Sequence, residues 1–318
     1  SCFLAMEDAD ALVIGPFLAR RPQAPPGGQD ERALAGLPGG RRLMLRLTAR
    51  CDCDGAYCPI ADLAHLPDRS FTGALRALAD GRQAACSELV IMRGEAARWP
   101  GLGALLLRAR AMGYRFIQLQ TSGRPLARRE TREELLGLVD AFEVTLYSPY
   151  EATHDALTRR PGSLRETLAG LRAAVVARRE VLLSVPVLRR NEGELLPIVR
   201  LAAKLGVRRL QFCFPRPVET KDGVRAEALA RLADVSPRIR QALRAAAEAG
   251  LYASTEAVPF CHLEAAQRKG PDSGRDWRRF RIDDLNRLDE SLDRRRAEAR
   301  PEAPACRTCP LRDSCPRT

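Results

Sequence analysis

The sequence predicts an α/β protein built on a parallel sheet. Six short apolar runs of strand character alternate with segments of helical spacing, and the connections between them are mostly short. Alternation of this kind carries parallel strands through crossover helices. A doubly wound sheet and a barrel both fit the count. An open nucleotide-binding sheet would need a glycine fingerprint after its first strand. Here cysteines follow that strand, where a barrel would carry its active site.

The elements run in order from residue 42. RLMLRLT (42–48) reads as a strand with arginines interposed. FTGALRALADG has helical spacing, ELVIM (88–92) is a compact strand, and LGALLLRARAMG is a helix closed by Gly113. RFIQLQT (115–121) and FEVTLY (142–147) are strands around the short helix REELLGLVD. LRETLAGLRAAVVAR is a long helix with Ser163 placed to cap it. VLLSVPV (181–187), ELLPIVRLAAKLG and RRLQFCF (208–214) continue the rhythm, then a helix over about 225–249 and a last strand in LYASTEA. Ahead of them, residues 1–41 are rich in Pro and Gly and read as a loosely ordered leader, with one short helix or strand near ALVIGPFLA.

The 318 residues suffice for one large core with a small appendage. Apolar residues are 45% and charged residues 29%, a globular balance. No apolar run reaches the roughly 20 residues of a membrane span. The acidic opening, Glu7, Asp8 and Asp10, does not fit a secretory signal, so a cytoplasmic protein without membrane attachment is expected. The net charge is +12, and of 52 basic residues only Lys204, Lys221 and Lys269 are lysines. The arginines are scattered without interleaved aromatics. They read first as a compositional bias and second as a surface for an anionic partner such as RNA.

Ten cysteines in a chain read as unsecreted point to metal or redox chemistry. Cys51, Cys53 and Cys58 form one group. Cys306, Cys309 and Cys315 form another, spaced C-x2-C-x5-C, with Cys261 upstream as a fourth thiolate and His262 beside it as a substitute. Four thiolates suit structural zinc or a [4Fe–4S] cluster. Cys2, Cys86 and Cys213 stand alone and read as buried structural thiols. His154, at a helix start, reads as a satisfied surface histidine.

In these features the chain resembles the radical S-adenosylmethionine (radical SAM) enzymes. Their partial (β/α)6 barrel carries a C-x3-C-x2-C loop after strand one, a GGE after strand two and often a TNG after strand three. Here Cys51 and Cys58 keep the outer spacing, Tyr57 is the aromatic before the last cysteine, and RGE and TSG follow strands two and three. The resemblance covers roughly residues 42–217. It departs at Gly55, where the middle cysteine should fall, and at Arg93, the first position of GGE. Cys53 is then expected to replace the missing ligand, with Gly55 letting the loop re-route. A barrel that has lost its cluster is the other reading.

The resemblance implies a TIM-like partial barrel over 42–256 and a small Cys-rich extension over 257–318, similar to the auxiliary-cluster (Twitch or SPASM) extensions. It implies an N-terminal [4Fe–4S] cluster on Cys51, Cys53 and Cys58, and a second cluster, or zinc, on Cys261, Cys306, Cys309 and Cys315. S-adenosylmethionine (SAM) would meet Tyr57, Gly94 and Glu95, the last at its amino group, with Thr145, Arg189 and Asn191 at its ribose or carboxylate. The implied reaction is reductive cleavage of SAM to a 5′-deoxyadenosyl radical that abstracts a substrate hydrogen, with electrons from a flavodoxin or ferredoxin. The expected substrate is a peptide or a small molecule in peptide or cofactor maturation. Two other functions fit the same features: a non-catalytic scaffold, for Gly55 and Arg93, and an RNA-modifying radical enzyme, for the charge.

Overall fold

Parallel strands buried on both sides need helices on one face and a filled interior on the other. The computed structural model shows how this chain meets both needs. It describes residues 40–53, 55–58, 60, 63–215, 219–220, 223–224, 228–268, 280–285, 288–289, 303–312 and 315. All of the expected leader except Gly40 and Arg41 lies outside the described residues, as does Cys2. The strands are β1 (Arg41–Leu45), β2 (Cys86–Ile91), β3 (Phe116–Thr121), β4 (Ala141–Thr145), β5 (Glu180–Pro186), β6 (Arg209–Cys213), β7 (Tyr252–Glu256), β8 (Phe280–Asp283) and β9 (Leu288–Asp289). They form one sheet in the order β9-β8-β1-β2-β3-β4-β5-β6-β7. Within this sheet every pairing is parallel except β8 with β9, and a separate antiparallel pair joins Glu219–Thr220 to Gly223–Val224. The two edge strands do not pair, so this is an open partial barrel.

The helices are α1 (Phe71–Gln83), α2 (Leu102–Ala111), α3 (Arg129–Leu138), α4 (Glu151–Thr158), α5 (Ser163–Val176), α6 (Leu195–Lys204) and α7 (Leu232–Glu248). The helix expected over about 225–249 therefore begins at Leu232. Ser163 does not cap α5. Gly162, at φ 77°, is the cap, and the Ser163 hydroxyl turns to Asp155 instead. The sequence reading did not anticipate β8 and β9. They come from the stretch 257–318, and β8 pairs along β1, with Met44 opposite Ile282.

Side chains alternate across each strand. Leu43, Leu89, Ile117, Phe142, Leu183 and Leu210 face the helices and are fully buried. The alternate positions line an inner face that is strongly polar: Arg42, Glu88, Gln118, Gln120, Glu143, Gln211, Glu256. Burying charge there requires partners. Arg42 Nε donates to Glu88 Oε2 at 2.8 Å, and Arg46 pairs with Asp284 at 2.7 Å. The second pair ties β1 to the chain beyond β8.

Two local features hold the segment over β3 and β4. Gly170 on α5 lies so close to the turn after β3 that a Cβ would come within 1.9 Å of the Gly123 carbonyl oxygen. At the corner between α4 and α5, Asp155 accepts from Ser163 Oγ at 2.8 Å and from the Leu164 amide at 2.9 Å. His154 is 1% exposed, which corrects its reading as a surface residue. Its Nδ1 lies 3.0 Å from Ser163 Oγ, and its ring meets Tyr147 edge-on. Among the described residues no helix is long and apolar enough to cross a membrane.

Gly170→Ala should lower stability by about 1–3 kcal/mol through overpacking against backbone, read as a fall in the midpoint of denaturant unfolding. A second expectation concerns acid. Burial depresses the His154 imidazole to about 4. The unfolded histidine therefore takes up a proton first as pH falls below its ordinary 6.5. The contribution is complete above that pH and is lost on the way down to about 4, on the order of 3 kcal/mol. Unfolding free energies measured across this window should fall less steeply for His154→Gln than for the wild type. Equal slopes would refute the assignment.

Candidate functional site

The loop after β1 is fastened at several points before it presents its thiols. The Arg50 amide donates to Thr48 Oγ1 at 2.9 Å, and the Ala56 amide donates to the Leu157 carbonyl of α4 at 2.8 Å. Between these, Cys51 is exposed while Cys53 and Cys58 are half-buried. The Sγ atoms of Cys51 and Cys53 and a carboxylate oxygen of Asp52 lie within 4.8 Å of one another. Cys58 stands farther off, against Ala49, Ile60 and Leu63. A Cβ at Gly55 would meet the carbonyl oxygens of Tyr57 at 3.3 Å and Leu157 at 3.5 Å. Position 55 therefore faces α4.

The second strand brings the RGE segment over this loop. The Glu95 amide donates to the Arg50 carbonyl at 2.9 Å. Gly94 has φ 78°, and a Cβ there would come within 2.1 Å of the Thr48 carbonyl oxygen, so the close approach of the two loops demands glycine. Glu95 is 1% exposed. Its Oε2 accepts from Ser122 N, Ser122 Oγ and Thr121 Oγ1 at 2.9, 2.7 and 3.0 Å, and its Oε1 accepts from Thr121 Oγ1 alone at 2.8 Å. Burial pushes the carboxyl up, against the pull of these donors. The TSG turn thus exists in part to satisfy one buried carboxylate.

The residue after that turn was not singled out from the sequence. Arg124 is 4% exposed and spreads its guanidinium over three partners. Nε donates to Glu166 at 2.6 Å, and Nη1 and Nη2 hold the two oxygens of Asp52 at 2.9 and 2.8 Å. Nη1 also donates to Cys53 Sγ at 3.0 Å. The hydrogen bond from Cys51 and the Arg124 charge hold the Cys53 thiol below its ordinary range, while the same bond and burial push Cys51 up.

Arg93 turns inward. It is open to solvent, yet the Glu256 and Glu143 carboxylates outweigh its desolvation and raise it further, with Cys213 and Tyr57 also facing it. These groups come from β7, β4, β6 and the cysteine loop, whose common space is the inner cavity. Neither carboxylate forms an ion pair with Arg93 within 4.0 Å among the described residues. Glu143 Oε2 is held by Gln118 and Gln120 at 3.1 and 2.9 Å, and Glu256 Oε2 by Gln211 at 3.2 Å. Arg93 adopts φ 27°, a region that costs energy for any residue but glycine.

The other expected contacts are placed unevenly. Thr145 is on the inner face opposite Ser184. Tyr147, two residues on, was also missed. Burial, and after it the charges of Cys58, Cys53 and Cys51, push its phenol up. Tyr57 is 8% exposed and packs with Leu157 and Leu188 beside Tyr147. Arg189 is exposed at the surface. Asn191 is fully buried, and its amide is spent on backbone: Oδ1 accepts from Leu188, and Nδ2 donates to Tyr147 and Pro186. Cys213 faces the cavity between Ser184 Oγ and Glu256 at 3.3 and 3.5 Å, while Cys86 lies in the core.

The C-terminal thiols do converge. Burial pushes Cys261 up first, followed by the charges of Cys315, Cys306 and Cys309. The Phe260 amide points at Cys315 Sγ at 3.4 Å. No three of these thiols lie within 4.8 Å of one another. His262 is turned away, with Nδ1 at 3.3 Å from Ser236 Oγ on α7.

No family model matches the sequence, and no curated protein matches it. Solved structures do. The fold is similar to that of Streptococcus suis SuiB bound to S-adenosylmethionine, at 14% identity over 86% of this chain and 71% of that one, with a TM-score of 0.62. It is similar to SuiB bound to precursor peptide SuiA, at 13% identity over 76% and 59%, TM-score 0.57. It is also similar to anSMEcpe with bound AdoMet and Cp18Cys peptide, at 12% identity over 68% and 63%, TM-score 0.56. In the last two pairings the aligned region is less than two thirds of the other chain. These neighbours are radical SAM enzymes. With its strand order, its crossover helices and its open inner face, the chain shares the fold of these structures.

Proposed function

We propose that the chain is a radical SAM enzyme acting on a peptide, with an N-terminal [4Fe–4S] cluster on Cys51, Cys53 and Cys58. The observation that carries this reading is the loop after β1, which brings the Cys51 and Cys53 sulfurs within 4.8 Å of each other and carries Cys58 five residues on. Thiolates are the ligands such clusters take, and the donor set fits one. Both Asp52 oxygens accept from Arg124, which holds the carboxylate beside the thiols. When bound, the cluster supplies the electron for reductive cleavage of SAM, which an external reductant of flavodoxin or ferredoxin type must replace.

The chain's own residues would do the rest. Glu95 Oε1, with a single donor, has an acceptor position left for the methionine ammonium. Thr145, on the inner face of β4, would meet the ribose. The walls of the cavity exclude bulk water from a reactive radical. The peptide assignment rests on the fold neighbours solved with peptides, SuiB with SuiA and anSMEcpe with Cp18Cys. For the C-terminal thiols we favour a second [4Fe–4S] cluster. Four thiolates suit either group, and the position of these cysteines after a barrel of this fold is what favours iron–sulfur over zinc.

One observation favours a scaffold that binds no SAM: the inward Arg93, in the space where glycine leaves room for the ligand. Titration calorimetry separates the two readings. SAM should bind the wild type at micromolar concentration, and Arg93→Gly, which relieves the strained φ, should bind it about tenfold more tightly. No binding to the wild type, with binding restored in Arg93→Gly, would establish the scaffold.

Metal content tests the ligands. Anaerobically reconstituted protein should hold about eight irons. Cys53→Ala should lose about half of them, together with SAM cleavage, and Gly55→Cys should not restore them, because position 55 faces α4. A Cys53→Ala protein that keeps both its iron and its cleavage would remove Cys53 from the ligand set.

A further inference from the structure

We infer that Arg124 is the positioning residue of the N-terminal cluster: its guanidinium locks the displaced Cys53 in ligating position and tunes the cluster through an N–H···S bond. The inference rests on the cluster assignment proposed above.

Three observations point to it. The first is how the guanidinium is divided. A purely structural arginine between two acidic loops needs only carboxylates. Arg124 satisfies Glu166 with Nε and Asp52 with both Nη atoms, and it still aims Nη1 at Cys53 Sγ at 3.0 Å. The second is burial. The Arg124 side chain is 3% exposed, so the cation is desolvated and its bonds are worth more than surface bonds. The third is the loop itself. With position 55 turned toward Leu157, the cysteine that must serve is two residues early and needs a new anchor. The bidentate hold on neighbouring Asp52 is that anchor.

Hydrogen bonds and positive charge at a ligand sulfur stabilise the more negative, reduced state of an iron–sulfur cluster and raise its potential. Outer-shell partners of this kind also govern metal retention, typically by 10–100-fold. Lysine cannot reproduce the geometry. It keeps the charge but has no planar fork to hold Asp52 and Cys53 together.

The test uses the full chain, reconstituted anaerobically with iron and sulfide. Its readouts are retention of iron against a chelator, the electron paramagnetic resonance signal of the reduced protein, and the potential by redox titration. In Arg124→Gln, retention at the N-terminal site should fall about 10–100-fold, and the potential should move to more negative values. Arg124→Lys should restore part of the retention and less of the potential. Asp52→Asn, which leaves Arg124 paired with Glu166, should lower retention by less and, by removing a negative charge beside the sulfur, should not share the negative shift in potential, and the double variant should show no additive loss of retention. Circular dichroism melts keep the comparison to folded protein. If Arg124→Gln does not fold, Arg124→Lys and Asp52→Asn carry the test. Unchanged retention and potential in the folded variants would overturn the inference and leave the proposed function standing. A wild type that takes up no N-terminal cluster would overturn both.

Discussion

A carboxylate buried almost completely at the mouth of a sheet must find its donors inside the protein. Glu95 is that carboxylate, and much of the site follows from satisfying it. Its donors are Thr121 and Ser122, so the chain must turn tightly after β3. Gly123 makes the turn at φ 79°. The turn delivers Arg124 beneath the cysteine loop and sets its carbonyl against Gly170 of α5. Glu166, one helical turn earlier on α5, then takes the Nε of Arg124. One unsatisfied oxygen at Glu95 would thus loosen the second, third and first loops in succession.

The inner face has a different logic. Its charges are numerous but not evenly matched. Some are paired, as Arg42 with Glu88 and Arg46 with Asp284. Glu143 and Glu256 are instead steadied by glutamine amides, and Arg93 faces both without closing an ion pair. The paired charges tie neighbouring strands together. The charges held apart leave polar groups facing the inner space. The strained backbone at Arg93 belongs to the same region, where local cost is carried by the surrounding structure.

The two cysteine groups are built in contrasting ways. The N-terminal thiols sit on a loop anchored from three sides, by β1, by α4 and by Arg124. The C-terminal thiols are gathered from a 3-10 turn at Phe260–His262 and a short turn around residues 303–312. Their support is the core contact of Leu311 and Cys315 and the Phe260 amide. The sheet bridges the two regions, because β8 lies between Cys261 and Cys306 in sequence and pairs with β1, which leads into the N-terminal cysteine loop.

The alternation of apolar strands and amphipathic helices determined the parallel sheet by itself, because strand burial and helix amphipathicity are written in local periodicity. The cysteine loop, RGE and TSG were legible for the same reason: each is a short run placed just past a strand. The strand β8 was not, since its four residues carry no pattern that separates them from a loop until β1 offers an edge. Arg124 and Tyr147 were equally hidden. One is an arginine among dozens, the other an aromatic near a strand end, and only the fold brings them to the thiols. Asn191 looked like a ligand contact in the chain, and the structure spends it on three backbone groups. Arg93 shows the division most clearly. The sequence alone determined that a cation stands where glycine is expected. The direction of its side chain was decided by Glu143 and Glu256, which lie far from it in sequence and meet it only across the curved sheet.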